Sequence, residues 1–331
     1  MERSVTSSAT ISANAAPRPR TTGRWAAWLG MQDPKRFSNL LVFPAQYLLL
    51  AIVVFPLLME VYISLTAWSP TRGGNWWEAY QYWDWGQNYG EVLRDSAFWS
   101  ALWRTVVIVG IAVPLEFLLG FCLAFLFLDE FPGKRIFHTI MLTPMMIVPA
   151  VVGYMFYMLF QSSGPINGLL SILTGQSVTI PWLTTGPLAM ASVIIAEVWQ
   201  WTPLMFLILL SGLVGLPEDE MKAATILGAS FWQKFRYIML PKMKLIIVIA
   251  LVIRFMEAFK IFDSIFLMTG GGPARATESI SIYMYKEAFQ NIRWSFAAAA
   301  AIIILVLMTI VASYALRPLQ VPQSEESHEP A

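Results

Sequence analysis

Long apolar runs separated by short polar connections are the main pattern of this chain. Six runs are each long enough to cross the hydrocarbon core of a bilayer as a helix, which takes about 20 residues. They cover residues 40–64, 101–128, 136–160, 188–212, 245–267 and 296–316, and Pro203 interrupts the fourth. The first run starts too late and is too long for a cleaved signal peptide. The pattern predicts an all-α integral membrane protein with six transmembrane helices.

The distribution of lysine and arginine predicts the orientation of these helices. Most of the 22 basic residues lie before the first run, between the second and third, between the fourth and fifth, and after the last. Cytoplasmic connections carry such an excess, so both termini are predicted to be cytoplasmic. Residues 1–36 then form a disordered tail with a surface helix near residues 25–29, and residues 315–331 form a second tail. Residues 37–97 form the first transmembrane helix and an outer loop.

The outer loop is rich in tryptophan and tyrosine between residues 67 and 90. Such rings concentrate where a membrane meets water, so an aromatic belt is the simpler interpretation. A docking surface for an external protein is the alternative.

Composition excludes several classes of protein. Hydrophobic residues make up 57% of the 331 residues and charged ones only 13%, whereas about a quarter of a soluble domain is charged. The single cysteine, Cys122, excludes an intrachain disulfide and is expected to be a small buried side chain. Two histidines are too few for a metal cluster, and no phosphate-binding loop of the G-x-x-x-x-G-K-[ST] type occurs. We therefore expect no metal, cofactor or nucleic acid partner and no enzymatic activity, and another chain would hydrolyse any ATP that is used.

A polar segment at residues 216–241 separates the fourth and fifth runs. Pro217 suits the first position of a helix, and the acidic residues after it complement the positive end of that helix. Small residues follow on adjoining faces, and Leu240-Pro241 ends the segment. The pattern alone is equally compatible with an ordinary cytoplasmic surface helix and with a surface that a partner approaches closely.

This segment resembles the EAA loop of binding-protein-dependent ABC importer permeases. Ala223-Ala224, Gly228-Ala229 and Ile238-Met239-Leu240-Pro241 stand at the matching spacings. Lys222 stands where the family usually has Glu, and Leu227 where it often has Asp. These two departures affect the polar contacts of the loop and not its place in the fold. The resemblance implies a loop that couples to an ATPase through Glu218, Lys222, Ala223, Ala224, Gly228, Ala229, Leu240 and Pro241.

Further motifs are similar to those of the carbohydrate-type permeases. Together they cover residues 98–314, with Arg104 in the place of a common Asn. The motifs are Phe98-Trp99-Ser100-Ala101-Leu102, Gly164-Pro165-Ile166-Asn167, Trp199-Gln200-Trp201-Thr202-Pro203, Phe262-Asp263 and Thr269-Gly270-Gly271-Gly272-Pro273. The resemblance implies a type I ABC importer permease fold in a bacterial inner membrane. It also implies three partners: an ABC ATPase dimer, a second permease subunit in a heterodimer, and an extracytoplasmic solute-binding protein.

Ionisable residues within the runs are candidates for function, because a charge at the centre of a membrane helix is costly. They are Glu116, Glu197, Arg254, Glu257, Lys260 and Asp263. The helical period places Glu197, Trp201 and Leu204 on one face and Arg254, Ala258 and Ile261 on another. In related permeases these two helices hold the substrate. We therefore predict a substrate pathway lined by Glu197, Gln200, Trp201, Leu204, Arg254, Glu257, Ala258 and Ile261.

The same charges allow a structural interpretation. Arg254 could pair with Glu257 or Glu197 and hold two helices together, with Lys260 and Asp263 as pairs at the helix end. Glu116 has no partner that the sequence identifies. The two interpretations are compatible, because groups that line a pathway can pair while no substrate is present.

The sequence predicts a permease subunit that forms half of the pathway of an ATP-driven importer for a sugar, polyol or related carbohydrate. The alternative is a self-sufficient secondary transporter or channel for a small polar solute. That class often shows inverted repeats and paired broken helices. The sequence shows one clearly interrupted run and no detectable repeat.

Overall fold

The computed structural model describes residues 34–317, which contain helices and connecting segments but no β-sheet. The all-α prediction is confirmed. The chain divides into two compact units, residues 1–59 and residues 60–331. The tail segments at residues 1–33 and 318–331, including the surface helix predicted near residues 25–29, lie outside the described part.

The first unit contains one long helical segment. Helix α1 (Pro34–Leu49) continues through a π-helical turn (Leu50–Val54) into α2 (Phe55–Ser64), whose last residues belong to the second unit. From Val42 to Ser64 this segment is long and apolar enough to cross a membrane. It corresponds to the first predicted run.

The second unit holds the remaining helices. Before α3 it has two 3₁₀ segments, Pro70–Arg72 and Trp76–Tyr82, and it has π-helical turns at Phe235–Met239 and Lys286–Gln290. Its α-helices are α3 (Gln87–Arg94), α4 (Ser96–Leu126), α5 (Lys134–Met146), α6 (Pro149–Leu159), α7 (Pro165–Thr174), α8 (Gly186–Val214), α9 (Glu218–Ile226), α10 (Phe231–Lys234), α11 (Leu240–Phe259), α12 (Asp263–Met268), α13 (Ile280–Tyr285) and α14 (Trp294–Leu316).

The two longest helices, α4 and α8, pack against each other along the centre of this unit. Gly120 of α4 allows their close approach, because a methyl group there would lie 2.8 Å from the backbone nitrogen of Phe206. Small residues at helix contacts are typical of membrane proteins, where close packing replaces the hydrophobic effect between helices. Helices α11 and α14 complete the core around this pair.

The six predicted spans are not all single helices. In the described residues, four helical segments are individually long and apolar enough to span: 42–64, 96–126, 186–214 and 294–316. The third predicted run is instead the pair α5 and α6, which meet at 97°. The fifth predicted run does not form one helix to residue 267, because α11 ends at Phe259 and α12 begins at Asp263.

Proline breaks the chain at a different place from the one predicted. Helix α8 runs through Pro203 without interruption from Gly186 to Val214, so the predicted interruption there is wrong. The bend between α5 and α6 lies instead at Val148, whose ψ of 133° is extended. The ring of the following Pro149 disfavours the helical conformation of the residue before it. The bend therefore follows from a proline at the first position of α6.

Candidate functional site

Three charged side chains from three helices meet at the centre of the second unit. Arg254 of α11 donates from Nε to Oε2 of Glu116 at 2.6 Å and from a terminal nitrogen to Oε1 of the same residue at 3.0 Å. The same terminal nitrogen also donates to Oε1 of Glu197. Glu116 is 0% exposed, Arg254 2% and Glu197 3%. This central cluster joins α4, α8 and α11 by charge-assisted hydrogen bonds away from solvent.

A cavity of about 250 Å³ lies beside the central cluster. Trp201 stands one helical turn after Glu197, and the guanidinium carbon of Arg254 lies 4.9 Å from the centre of its ring. The cavity is lined by Pro149, Glu197, Trp201, Arg254, Glu257, Lys260, Ile261, Phe262, Asp263 and Ser264. It therefore borders the bend before α6 and the break between α11 and α12.

Five of the eight residues predicted to line a pathway border this one cavity: Glu197, Trp201, Arg254, Glu257 and Ile261. The other three do not. Gln200 is fully buried, and its side-chain nitrogen donates to the carbonyl of Ile147 at 3.0 Å, at the bend between α5 and α6. Ala258 is buried in the core of the unit, and Leu204 is only partly buried and lies away from the cavity.

The pairing of Arg254 with Glu257 that the i, i+3 spacing favours does not occur. Glu257 is half-exposed and accepts a hydrogen bond from Lys260 at 2.9 Å. Lys260 therefore forms a pair at the helix end, but with Glu257 and not with Asp263, which lies exposed in the first turn of α12. Arg254 instead pairs with Glu197, as the other structural interpretation allowed, and with Glu116.

Glu116 is among the ionisable candidates within the apolar runs, but the sequence identifies no partner for it and does not place it in the pathway. It lies 138 residues before its partner Arg254, so no local spacing links the two. The available signal was its charge within an otherwise apolar run, which marks a residue that needs a partner in the folded protein.

The segment predicted to couple to an ATPase forms an exposed helical hairpin. Helix α9 has no buried residue. Pro217 precedes this helix rather than opening it, and Gly228 follows its end with a left-handed φ of +78°. Glycine adopts that conformation without strain. Pro241 is the second residue of α11 and does not end the segment, because the helix continues from α10 through the π-helical turn into α11.

Charge pairs on this hairpin are exposed. Lys222 donates to Glu218 at 2.7 Å within α9, and this hydrogen bond and the nearby positive charge lower the pKa of Glu218. Lys242 at the start of α11 donates to Glu220 at 2.8 Å. The family usually has Glu at the position of Lys222. Here the lysine pairs instead with a carboxylate, Glu218, on the same helix.

Cys122 is exposed, so the prediction that it is buried is wrong. It lines an apolar groove of about 810 Å³ between α4, α5 and α8. Trp199 borders the same groove and packs edge-on against Phe156 at 5.5 Å between ring centres. Trp199 and Trp201 thus lie on different surfaces of α8, the first at the apolar groove and the second at the cavity.

A further buried carboxylate, outside the central cluster, lies in the connection between α12 and α13. Glu278 is 1% exposed and accepts hydrogen bonds from Arg275 and from Lys286. Burial alone would raise its pKa, but the two cationic donors outweigh burial and hold the pKa below its ordinary value. The carbonyl of Glu278 also accepts from Nε of Arg104 at 3.1 Å. Arg104, which departs from the family pattern, thereby ties this connection to α4.

Within residues 34–317, no group of three potential metal ligands lies close enough together to hold an ion.

Comparison with known proteins identifies the family. A model of the family described as "Binding-protein-dependent transport system inner membrane component" matches residues 93–319. A probable ABC transporter permease protein of Sinorhizobium fredii, y4oQ, is 39% identical over 82% of this chain and 86% of its own length. The trehalose transport system permease protein SugA of Mycobacterium tuberculosis is 34% identical over 84% of this chain and 87% of its own length.

Solved structures show the same fold. One chain of a crystal structure of a bacterial ABC transporter involved in the import of the acidic polysaccharide alginate superposes with a TM-score of 0.73. It is 19% identical, and the match covers 87% of this chain and 96% of that one. This likeness confirms the predicted importer permease fold, and the family match favours an ABC permease over a self-sufficient transporter or channel. The chain belongs to the binding-protein-dependent transport system inner membrane components, as a permease subunit of an ABC importer.

Proposed function

We propose that this chain forms half of the translocation pathway of an importer for a sugar, polyol or related carbohydrate. Relatives support the substrate class through their names. They include the trehalose permease SugA, a trehalose/maltose permease of Thermococcus litoralis, and a sulfoquinovosyl glycerol permease of Agrobacterium fabrum. All three names refer to glycosides that carry several hydroxyl groups.

The observation that carries the proposal is the cavity between α8 and α11. It combines an indole with carboxylates and cationic groups on the two helices that flank the α9 hairpin. Sugar hydroxyls form charge-assisted hydrogen bonds with such groups, and the C–H face of a sugar ring stacks on an aromatic ring. Converging polar groups beside an aromatic wall are typical of small-molecule sites. In the importer, Trp201 and Glu257 would contact the solute directly.

The exposed α9 hairpin supports a contact with an ABC ATPase dimer. Its small residues, Ala223 and Ala224, lie on a helix that buries none of its own side chains in this chain. Helix α9 follows α8 in sequence and leads through α10 into α11, so a push on it would reach both helices that line the cavity. A second permease subunit would supply the other half of the pathway, and an extracytoplasmic solute-binding protein would deliver the solute. A bacterial inner membrane is the expected location.

Reconstitution tests this assignment. The chain is co-expressed with its ATPase, second permease and binding protein, and the purified complex is placed in proteoliposomes. We expect ATP-dependent uptake of at least one of radiolabelled trehalose, maltose or sulfoquinovosyl glycerol, with methionine as a non-carbohydrate control. Uptake of methionine alone would overturn the substrate class. Uptake by this chain without ATPase or binding protein would overturn the importer itself.

A further inference from the structure

The central cluster contains two carboxylates but only one cation. Glu116 and Glu197 both bond to Arg254, and all three residues are at least 97% buried. The other charged groups that line the adjoining cavity are Glu257, Lys260 and Asp263. Lys260 is already paired with Glu257, and within the described residues no other lysine or arginine forms an ion pair with either buried carboxylate. With both carboxylates ionised, the cluster would carry one uncompensated negative charge.

An uncompensated charge in the interior of a membrane protein is costly, and a buried carboxyl group avoids it by taking up a proton. We propose that the central cluster holds one proton and that Glu197 carries it. Glu197 then borders the cavity as a neutral carboxylic acid, while Glu116 and Arg254 form a neutral ion pair behind it.

The hydrogen bonds decide which carboxyl group carries the proton. Both oxygens of Glu116 accept from Arg254. Protonation puts a donor on one oxygen and makes that oxygen a weaker acceptor, so a guanidinium that donates to both oxygens favours the ionised form. Glu197 accepts from Arg254 through Oε1 alone, and within the described residues Oε2 has no hydrogen-bond partner. Glu116 is therefore the ionised member, and Oε2 of Glu197 is free to hold the proton.

The proton changes what the cavity offers to a solute. An ionised carboxylate only accepts hydrogen bonds, whereas a carboxylic acid also donates one. Glu197 would thus donate to a hydroxyl oxygen of the solute, while the half-exposed Glu257 accepts from a hydroxyl hydrogen. This consequence rests on the proposed pathway role, but the proton itself rests only on the cluster.

Infrared spectroscopy of the assembled complex in lipid tests the proton directly. In the difference spectrum between the wild type and Glu197→Gln at neutral pH, we expect the carbonyl stretch of one protonated carboxyl group in the wild type. The band should shift promptly in D₂O, because Glu197 borders a cavity. Glu116→Gln should also remove it, because Glu197 then becomes the sole anion that pairs with Arg254. Glu257→Gln, a change to an exposed carboxylate on the same cavity, should leave the band in place.

Three results would overturn the inference. Absence of the band from the wild type, or its persistence in Glu197→Gln, would remove the proton from Glu197. A band that does not exchange in D₂O would place the proton on the fully buried Glu116 instead. If Glu197→Gln fails to assemble, the presence of the band in the wild type and its exchange in D₂O still test the proton. None of the readouts measures uptake, so a wrong substrate class would leave the band unchanged and the two proposals fail separately.

Discussion

Two sets of charged residues in this permease use the same chemistry in opposite surroundings. The central cluster of Arg254, Glu116 and Glu197 is almost completely buried between three helices. The pairs on the α9 hairpin, such as Lys242 with Glu220, are exposed by 39% and 49% of their side chains. Both sets contain good hydrogen bonds, and they differ in how much water they have lost.

The difference in burial shows which charges stabilise the fold and which remain available for contact with a partner subunit. Removing one partner of a buried ion pair strongly destabilises the folded protein, because the other partner is left charged and without solvent. An exposed pair contributes little, because water and salt screen it. The central cluster therefore determines how α4, α8 and α11 meet. The hairpin charges leave α9 free to be stabilised by a partner subunit.

The largest loss of stability is expected when both carboxylates of the central cluster are removed. In the double variant Glu116→Gln/Glu197→Gln, Arg254 remains a buried cation without a counterion, which costs about 3–5 kcal/mol of stability. Each single variant keeps one carboxylate and should lose much less, so the double variant should lose more than the sum of the two. Thermal unfolding of the purified chain in detergent measures all three. The matched control, Glu218→Gln/Glu220→Gln on α9, breaks two exposed pairs that water and salt screen, so it should lose far less stability than the double variant in the cluster. Additive single effects would contradict the shared role of Arg254.

A large ring on the hairpin should weaken association with the ATPase and leave the stability of the chain unchanged, the opposite of the double variant. Ala223 is exposed on α9, and Ala223→Trp would block close approach of a partner without touching the core. We expect copurification of the ATPase to fall by about tenfold or more, on the order of 1.4 kcal/mol, while the chain unfolds at the wild-type temperature. Gln176→Trp, at an exposed position after α7, is the control. Undiminished association would exclude Ala223 from the ATPase contact. We prefer Ala223 to Gly228 because a bulky residue at the left-handed φ of Gly228 is itself strained.

Hydropathy predicted the long helices well because a membrane span depends on length and apolar content alone. The predicted run 188–212 lies within α8, Gly186–Val214. The positions of the bends were harder to predict. Pro203 and Pro149 give similar sequence signals, and only the packing around them decides which one breaks a helix. Glu116 shows the limit most clearly. Its role depends on the meeting of α4 with α11, and no pattern within either helix encodes that contact.

An intermediate effect is expected at Glu278, which is buried but lies outside the spans. Its pKa is lower in the folded protein than in the unfolded chain, because Arg275 and Lys286 donate to it. Its contribution to stability is therefore complete above the unfolded pKa of about 4.3 and is lost as the pH falls through the lower folded value. Unfolding temperatures measured across this acid range should fall less steeply for Glu278→Gln than for the wild type. An unchanged pH profile would show that this carboxylate does not contribute.

The smallest effect is expected from Lys242→Ala. The partner of Lys242, Glu220, is half-exposed, so the loss of stability should be about 0.2–1 kcal/mol at most and should shrink at high salt. Chemical unfolding in detergent at two salt concentrations measures it. A loss as large as that of the double variant in the central cluster would remove the contrast between the two regions.

The most direct test of the account is uptake per assembled complex for Trp201→Ala beside Trp199→Ala. Both changes remove an indole from α8, but only Trp201 borders the cavity, whereas Trp199 lines the apolar groove. We expect Trp201→Ala to lower carbohydrate uptake by roughly 3–10-fold, the effect of one aromatic contact, and Trp199→Ala to leave it near the wild-type value. Trp201 also packs over Arg254, so its loss can affect folding. Normalising uptake to the amount of assembled complex corrects for this effect. Equal uptake by the two variants would contradict a solute pathway through this cavity.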